Sequence, residues 1–142
     1  MRRRLILLTI SLCATLVPSA MAARHDAIGV RSTAYGRIVV DGGGYALYAF
    51  TRDGRGASRC YGACAQAWPP FIVPRRPRAT HGTRAALIGS TRRTDGRLQA
   101  TYRGRPLYYY VADRRPGQVL CQNVVEFGGR WLVIRASGRL VR

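Results

Sequence analysis

Two stretches of the chain place apolar side chains in a strand-like pattern that glycine interrupts. Residues 37–41 alternate and are rich in β-branched side chains, the glycines at 42–44 permit a positive φ, and "YALYAFT" resumes with strand-forming residues. A second stretch repeats this plan around a turn at Arg103 and Gly104. The pattern predicts one β-hairpin in each stretch.

The strand after each turn is apolar on both of its faces. Because side chains alternate between the two faces of a strand, Tyr48 and Phe50 lie on one face of the first strand, and Leu47 and Ala49 lie on the other. In the second stretch, Tyr108 and Tyr110 lie opposite Leu107 and Tyr109 in the same way. A strand of this kind needs cover on both sides, so we expect a sandwich or a barrel-like sheet.

Further strands are predicted at residues 84–91, 130–136 and 139–142. The stretch "YGACAQAW" has the alanine content for a helical turn, and Pro69 would end it. The predicted class is therefore mainly β, with at most one short helical turn.

The two stretches also align as an internal repeat. Residues 36–53 and 96–113 have equal length, lie sixty positions apart, and share glycine, arginine, leucine, tyrosine and aspartate at matching positions. We predict two duplicated β-hairpin repeats in one domain. Repeat one covers about residues 36–73, a connector rich in proline and arginine covers about 74–84, and repeat two covers about 85–135.

The N-terminus has the pattern of a cleaved signal peptide. Basic residues are followed by a mainly apolar run at 5–17 and by the small residues of "PSAMAA", which places cleavage near Ala22. The run is shorter than the roughly 20 residues of a membrane-spanning helix. We therefore expect residues 1–22 to be removed and residues 23–142 to form one periplasmic or extracellular domain without a transmembrane span.

The expected mature chain is strongly basic. It carries 21 basic residues, all arginine, against six acidic residues, a formal net charge of +15. Such a charge attracts anionic partners, including lipid headgroups, phosphorylated wall polymers and nucleic acid. Because the protein is expected to be exported, we expect no physiological nucleic-acid partner. Arginine richness also fits a merely compositional bias, and both explanations stay open.

The mature region contains three cysteines, Cys60, Cys64 and Cys121. An oxidising compartment favours one disulfide and one remaining thiol. A bond between Cys60 and Cys64 closes a short loop and contributes about 2 kcal/mol on the chain-entropy model, whereas a bond to Cys121 closes a long loop and contributes about 4 kcal/mol. The C-x-x-x-C spacing also suits Cu(I), but His25 and His81 are poorly placed as further ligands, so we expect neither a metal nor a cofactor.

The motif Y-x-[FWY]-x-x-D occurs twice, as "YAFTRD" and as "YYYVAD". With "CYGACAQAWPP" after the first copy and "EFGGRWLVI" after the second, the chain resembles a bacterial family of secreted repeats and predicted lipoproteins whose role is unassigned. The resemblance implies export and repeat architecture, and it favours the Cys60–Cys64 disulfide. The chain departs from the family pattern in its additional Cys121 and in lacking a lipid-acceptor cysteine.

The aspartates that end the two motifs admit two interpretations. Asp53 and Asp113 could each accept a backbone N–H bond from the residue two positions later in a turn, or both carboxylates could share a pseudo-symmetric binding pocket. The rings that would line such a pocket are those of Tyr48, Phe50, Tyr108 and Tyr110.

The leading functional hypothesis is an exported, non-enzymatic module for an anionic envelope component. A lipid headgroup or a wall polymer would fit the positive charge, and no catalytic motif stands out in the sequence. The alternative is a thiol redox or copper-handling protein that uses Cys60 and Cys64. Which anion is bound, and in which oligomeric state, does not follow from the sequence.

Overall fold

The computed structural model describes residues 26–142 of the chain. The predicted signal peptide, its cleavage point near Ala22, and His25 lie outside the described residues. In chain order the strands are β1 (Ala27–Thr33), β2 (Gly36–Asp41), β3 (Tyr48–Phe50), β4 (Arg78–Ala79), β5 (Ile88–Arg92), β6 (Leu98–Tyr102), β7 (Arg105–Pro106), β8 (Val124–Glu126) and β9 (Gly129–Val133). Helix α1 covers Ala63–Ala67, and a 3-10 helix covers Ala85–Leu87. The mainly β class and the short helical turn are therefore confirmed.

The strands form three small sheets of three strands each within residues 26–142. Their strand orders are β2-β1-β4, β3-β9-β8 and β5-β6-β7, and every pairing is antiparallel except the one between β1 and β4. The first and third sheets are each built around a hairpin from one half of the chain. The second sheet pairs β3 from the first half with β9 from the second.

The two halves begin with matching hairpins. Ile28 pairs with Asp41 in the β1–β2 hairpin, and Ile88, sixty residues later, pairs with Tyr102 in the β5–β6 hairpin. Strand β1 was not predicted, because Gly29 and the polar residues that follow it break the apolar alternation. The duplication therefore includes the strand that precedes each predicted hairpin.

The predicted alternation along the motif strands is confirmed by two separate hydrophobic cores. One core contains Tyr48, Phe50 and Tyr108 together with Trp68 and Trp131. The other core contains the neighbours of these residues along the chain, namely Leu47, Ala49 and Leu107. The motif strands lie between the two cores, which explains why neither of their faces is polar.

The first motif strand leaves its own hairpin soon after the glycine turn. A single bridge joins Val40 to Ala46, after which β3 pairs along its length with β9 of the other half. Asp41 fixes the departure, since its Oδ1 accepts hydrogen bonds from the backbone N–H groups of Gly43 and Tyr45, both at 2.9 Å.

The second motif strand crosses in the opposite direction. The N–H of Tyr109 donates to the carbonyl of Pro69 at 2.8 Å, and the N–H of Val111 donates to the carbonyl of Ala67 at 3.1 Å. Each half therefore pairs its motif strand with the tryptophan-containing segment of the other half.

Among residues 26–142, no helix is long and apolar enough to cross a bilayer.

The two-sided burial can be tested at equivalent positions of the repeat. Leu47 and Leu107 are both fully buried, so Leu47→Ala and Leu107→Ala should each lower the free energy of unfolding by about 2–5 kcal/mol. Val111 is 57 % exposed, and Val111→Ala should change stability by less than about 0.5 kcal/mol. Urea unfolding checks all three variants. A leucine variant as stable as Val111→Ala would show that this face of the strand is not packed.

Candidate functional site

The two sequence motifs meet where their strands cross. The N–H of Tyr48 donates to the carbonyl of Tyr108 at 2.8 Å, and the N–H of Tyr108 donates to the carbonyl of Tyr48 at 3.0 Å. This reciprocal pair relates the two halves by an approximate twofold axis. The two tyrosines align in the sequence repeat, but their pairing was not predicted.

The tyrosine side chains exchange partners between the repeats. The Tyr48 hydroxyl donates to Oδ2 of Asp113 at 2.6 Å, and the Tyr108 hydroxyl donates to Oδ2 of Asp53 at 2.7 Å. Both tyrosines are fully buried, whereas both aspartates are partly exposed. Each motif therefore supplies the donor for the carboxylate of the other.

The second oxygen of each aspartate accepts a backbone N–H bond from a residue six or seven positions later, rather than from the residue two positions later that the turn interpretation expected. Oδ1 of Asp53 accepts from the N–H of Arg59 at 2.7 Å, and Oδ1 of Asp113 accepts from the N–H of Leu120 at 2.9 Å. Each carboxylate thus bonds to one backbone N–H group and to one tyrosine hydroxyl. Each carboxylate lies against the tyrosine of the opposite repeat.

Burial shifts the pKa values of both tyrosine–aspartate pairs. Desolvation raises the pKa of Asp53 and of Asp113 above their ordinary range, while the hydrogen bonds that they accept oppose the rise. Desolvation and the adjacent carboxylates raise the pKa of Tyr48 and of Tyr108. Each phenol therefore stays neutral and acts as a donor.

A column of four aromatic rings lies beside the crossing. Trp68 and Trp131 stack with ring centroids 4.1 Å apart, Phe50 stacks on Trp131 at 4.2 Å, and Tyr110 lies against Trp68 at 4.7 Å. Phe50 and Tyr110 occupy equivalent motif positions. No role was predicted for the tryptophans, although each follows a cysteine-containing loop in its own half.

The two sides of the crossing differ in their surroundings. On the Asp53 side, Ser58 Oγ lies 2.8 Å from the Tyr108 hydroxyl, and Nη1 of Arg93 donates to Ser58 Oγ at 2.9 Å. Arg93 is buried, and its Nη2 donates to the carbonyl of Cys60 at 2.7 Å. A buried arginine therefore ties the cysteine loop to the crossing, and no sequence pattern had singled it out.

The predicted disulfide between Cys60 and Cys64 is present, with the two Cα atoms 5.2 Å apart. Gly62, at φ 55°, gives the loop the irregular path that this short closure needs. The rival pairing with Cys121 is wrong, because Cys121 has a free thiol. The chain-entropy preference for the long loop concerns the unfolded chain, whereas the folded chain brings the two near neighbours within bonding distance.

Cys121 occupies the place in the second half that Cys60 occupies in the first. Each follows the residue whose N–H bonds to the motif aspartate, Leu120 or Arg59. A hydrogen bond with Cys121 is the main cause that raises the pKa of Tyr110 to about 12. In the part of the chain that the structure describes, no three His, Cys, Asp or Glu side chains come together as potential metal ligands.

An arginine-rich cleft of about 1000 Å³ opens next to the first motif. Phe50 and Asp53 contribute to its wall, and Asp53 is the only acidic residue among the lining residues described. Five arginines complete the basic part of the lining: Arg55, Arg103, Arg105, Arg139 and Arg142. In the sequence these arginines contribute to the net charge, but no motif predicts that they lie together.

The β6–β7 turn positions two of the cleft arginines, Arg103 and Arg55. Arg103 and Gly104 form the β6–β7 turn at φ 49° and 73°, and a left-handed conformation is uncommon for arginine. The N–H of Gly56 donates to the carbonyl of Gly104 at 2.7 Å, and a Cβ at Gly104 would lie 2.9 Å from Cγ of Arg55. The Arg55 side chain therefore packs directly over the turn that presents Arg103. Within residues 26–142, no carboxylate forms an ion pair with any of the five cleft arginines.

The family described as "secreted repeat of unknown function" matches the chain at residues 29–71 and at residues 89–135. The chain belongs to this family. The two matches coincide with the two halves that exchange tyrosine and aspartate partners, and the resemblance noted from the sequence motifs is confirmed. The description of the family as secreted agrees with the predicted export. No curated protein and no solved structure matched the chain.

The exchanged pairs predict the effect of removing one hydroxyl. The Tyr48 hydrogen bond lowers the pKa of Asp113, so Tyr48→Phe should raise that pKa further above its ordinary value. The free energy of unfolding should fall by about 1–2 kcal/mol at pH 7, discounted for the partial exposure of Asp113. A carboxyl titration by NMR and urea unfolding at pH 4 and pH 7 measure both effects.

The sign of the pH dependence follows from the raised native pKa. Destabilisation by Tyr48→Phe should grow as the pH rises from about 4 through the native pKa of Asp113, because the carboxylate must then ionise without its donor. Tyr35→Phe, at a tyrosine that is 38 % exposed, should leave the titration of Asp113 unchanged. An unaltered pKa in Tyr48→Phe would show that the hydroxyl does not stabilise the carboxylate.

The disulfide should stabilise the fold by a modest amount. Its removal in the double variant Cys60→Ser/Cys64→Ser should lower the free energy of unfolding by about 2 kcal/mol, since the closed loop is short. Cys121→Ser breaks no disulfide and should cost clearly less. Denaturant unfolding of the oxidised proteins compares the variants, and an equal loss in both would contradict the assignment.

Proposed function

We propose that this protein is an exported, non-enzymatic module that binds an anionic component of the cell envelope, in the periplasm or outside the cell. The observation that carries the proposal is the cleft of about 1000 Å³ with five arginines in its lining. All five are exposed. Their charges are therefore available to a ligand.

The chemistry of the cleft favours phosphate groups or carboxylates. A guanidinium presents a planar fork of donors that matches both groups, and arginine binds them in a bidentate manner. Several arginines around one cavity can hold successive charges of a polymer or the headgroup of a lipid. The two candidate ligands, a wall polymer and a lipid headgroup, would both present phosphate groups to the cleft. They differ in whether the phosphates are repeated along a chain or carried singly.

The acidic residue in the cleft supports binding rather than catalysis. Asp53 already accepts hydrogen bonds from the Tyr108 hydroxyl and from the N–H of Arg59. Both oxygens of this carboxylate therefore have partners within the fold. An engaged carboxylate among arginines is suited to shape a binding surface.

The alternative of thiol redox or copper chemistry finds less support. Cys60 is fully buried, Cys64 is 6 % exposed, and the two sulfurs are joined to each other. Thiolate chemistry and metal binding both need accessible, reduced sulfur. The buried position of the pair supports a structural bond.

The proposal is tested by comparing two double variants with equal net charge. Arg105→Gln/Arg139→Gln removes two cleft arginines whose side chains make no hydrogen bond within the described residues, and it should weaken binding of inorganic polyphosphate about tenfold. Arg75→Gln/Arg114→Gln removes two exposed arginines outside the cleft lining and should weaken binding by less than about threefold. Isothermal titration at several salt concentrations provides the affinities.

A salt series and glycerol phosphate as a second probe distinguish the expected binding from the alternatives. Wild-type affinity for polyphosphate should fall steeply as salt rises. Glycerol phosphate at the same phosphate concentration should bind more weakly than polyphosphate if the source is a polymer, and equally well if a single headgroup is held. Absence of binding, salt-independent binding, or equal losses in the two double variants would overturn the proposal.

A further inference from the structure

The β8–β9 hairpin ends in an unusual turn. Glu126 and Gly129 form its last pair, and the turn residues Phe127 and Gly128 have φ values of 53° and 76°. A two-residue turn with both φ values positive strongly favours asparagine, aspartate or glycine at its first position. Phenylalanine there adopts a sparsely populated backbone conformation, which is strained for a residue with a bulky side chain.

Packing inside the fold does not compensate for this strain. Phe127 is 43 % exposed, and Val125, two residues earlier on the same hairpin, is 61 % exposed. Neither residue belongs to the two hydrophobic cores. A residue that breaks a local rule without an internal gain points to a role outside the folded chain.

Two arginines, Arg52 and Arg130, lie next to the exposed apolar residues. Nη1 of Arg52 lies 3.5 Å from the carbonyl oxygen of Phe127, and Arg130 is the cross-strand partner of Val125. Residues paired in this way point to the same face of a sheet. We name Arg52, Val125, Phe127 and Arg130 together the hairpin tip.

The one carboxylate next to the turn is engaged elsewhere. Oε2 of Glu126 accepts a hydrogen bond from Nε1 of Trp68 at 2.8 Å. Its charge is directed to the aromatic column rather than to the hairpin tip. The hairpin tip therefore combines an aromatic and an aliphatic side chain with two arginines.

We infer that the hairpin tip docks on an anionic lipid bilayer, with Phe127 and Val125 entering the interfacial region and Arg52 and Arg130 facing the lipid phosphates. The charge of the hairpin tip is complementary to such a surface, because basic side chains close to an anionic bilayer are attracted to its negative surface potential. An aromatic ring is well suited to the interface between headgroups and acyl chains. This inference rests on the turn and its surroundings, so it stands independently of the arginine cleft.

Vesicle partitioning of the full exported chain tests the inference. The probes are vesicles of pure phosphatidylcholine and vesicles of phosphatidylcholine mixed with phosphatidylglycerol, and cosedimentation measures the bound fraction. Wild-type protein should bind the mixed vesicles and bind the zwitterionic vesicles weakly. A wild-type protein that binds neither would overturn the inference, as expected if the hairpin tip instead recognises another protein.

Phe127→Asn separates the membrane role from the fold. Asparagine suits the turn better than phenylalanine, so the variant should melt at the same temperature as wild type or higher. Its partitioning to the mixed vesicles should nevertheless fall about tenfold, because the main apolar contact is lost. Tyr35→Asn replaces another exposed aromatic side chain, in the loop between β1 and β2, and should partition like wild type.

The variants also distinguish the hairpin tip from the cleft. Arg105→Gln/Arg139→Gln should retain vesicle binding within about threefold, even though its polyphosphate binding is weakened about tenfold. Undiminished vesicle binding by Phe127→Asn would overturn the inference. Vesicle binding that disappears with the cleft variant but survives in Phe127→Asn would assign the lipid to the cleft and likewise overturn it.

Discussion

The rest of the structure depends on the exchange of hydrogen bonds between Tyr48 and Tyr108. Their backbones bond to each other, and each hydroxyl bonds to the aspartate of the opposite repeat. Both rings are fully buried, so the hydroxyls could not be left without partners at low cost. The two halves therefore complete each other's polar interior as well as each other's sheets. Neither half holds a fully satisfied motif by itself.

The crossing of the two motif strands also determines which residues form the arginine cleft. Phe50 and Asp53 continue directly from the crossing into the wall of the arginine cleft. Beyond them, the N–H of Gly56 bonds to the carbonyl of Gly104, which joins the loop after the first motif to the turn of the second repeat. The cleft is thus assembled from both halves. The cysteine loop that follows is fixed by the Cys60–Cys64 disulfide and by the hydrogen bond that Arg93 donates to the carbonyl of Cys60.

Sequence reasoning predicted the duplication and the two-sided strands because these rest on local pattern and composition. Tyr48 and Leu47 point into different cores, as a period of two requires. The swapped partners could not be predicted, since a hairpin pattern is equally compatible with pairing inside one repeat. The tight Cys60–Cys64 bond was identified by resemblance, against the entropic preference. Arg93 and the cleft arginines escaped notice because in a chain so rich in arginine no single one stands out.

Native-state hydrogen exchange on the full chain tests the interlocking of the halves most directly. The amide protons of Tyr48 and Tyr108 are bonded to each other's residues, so both should exchange only through global unfolding. We expect the same opening free energy for both amides, equal to that from urea unfolding, and the same dependence on added denaturant. An amide in one half that exchanges through a separate, lower-energy opening, while the other stays protected, would show that the halves fold independently and would contradict this account.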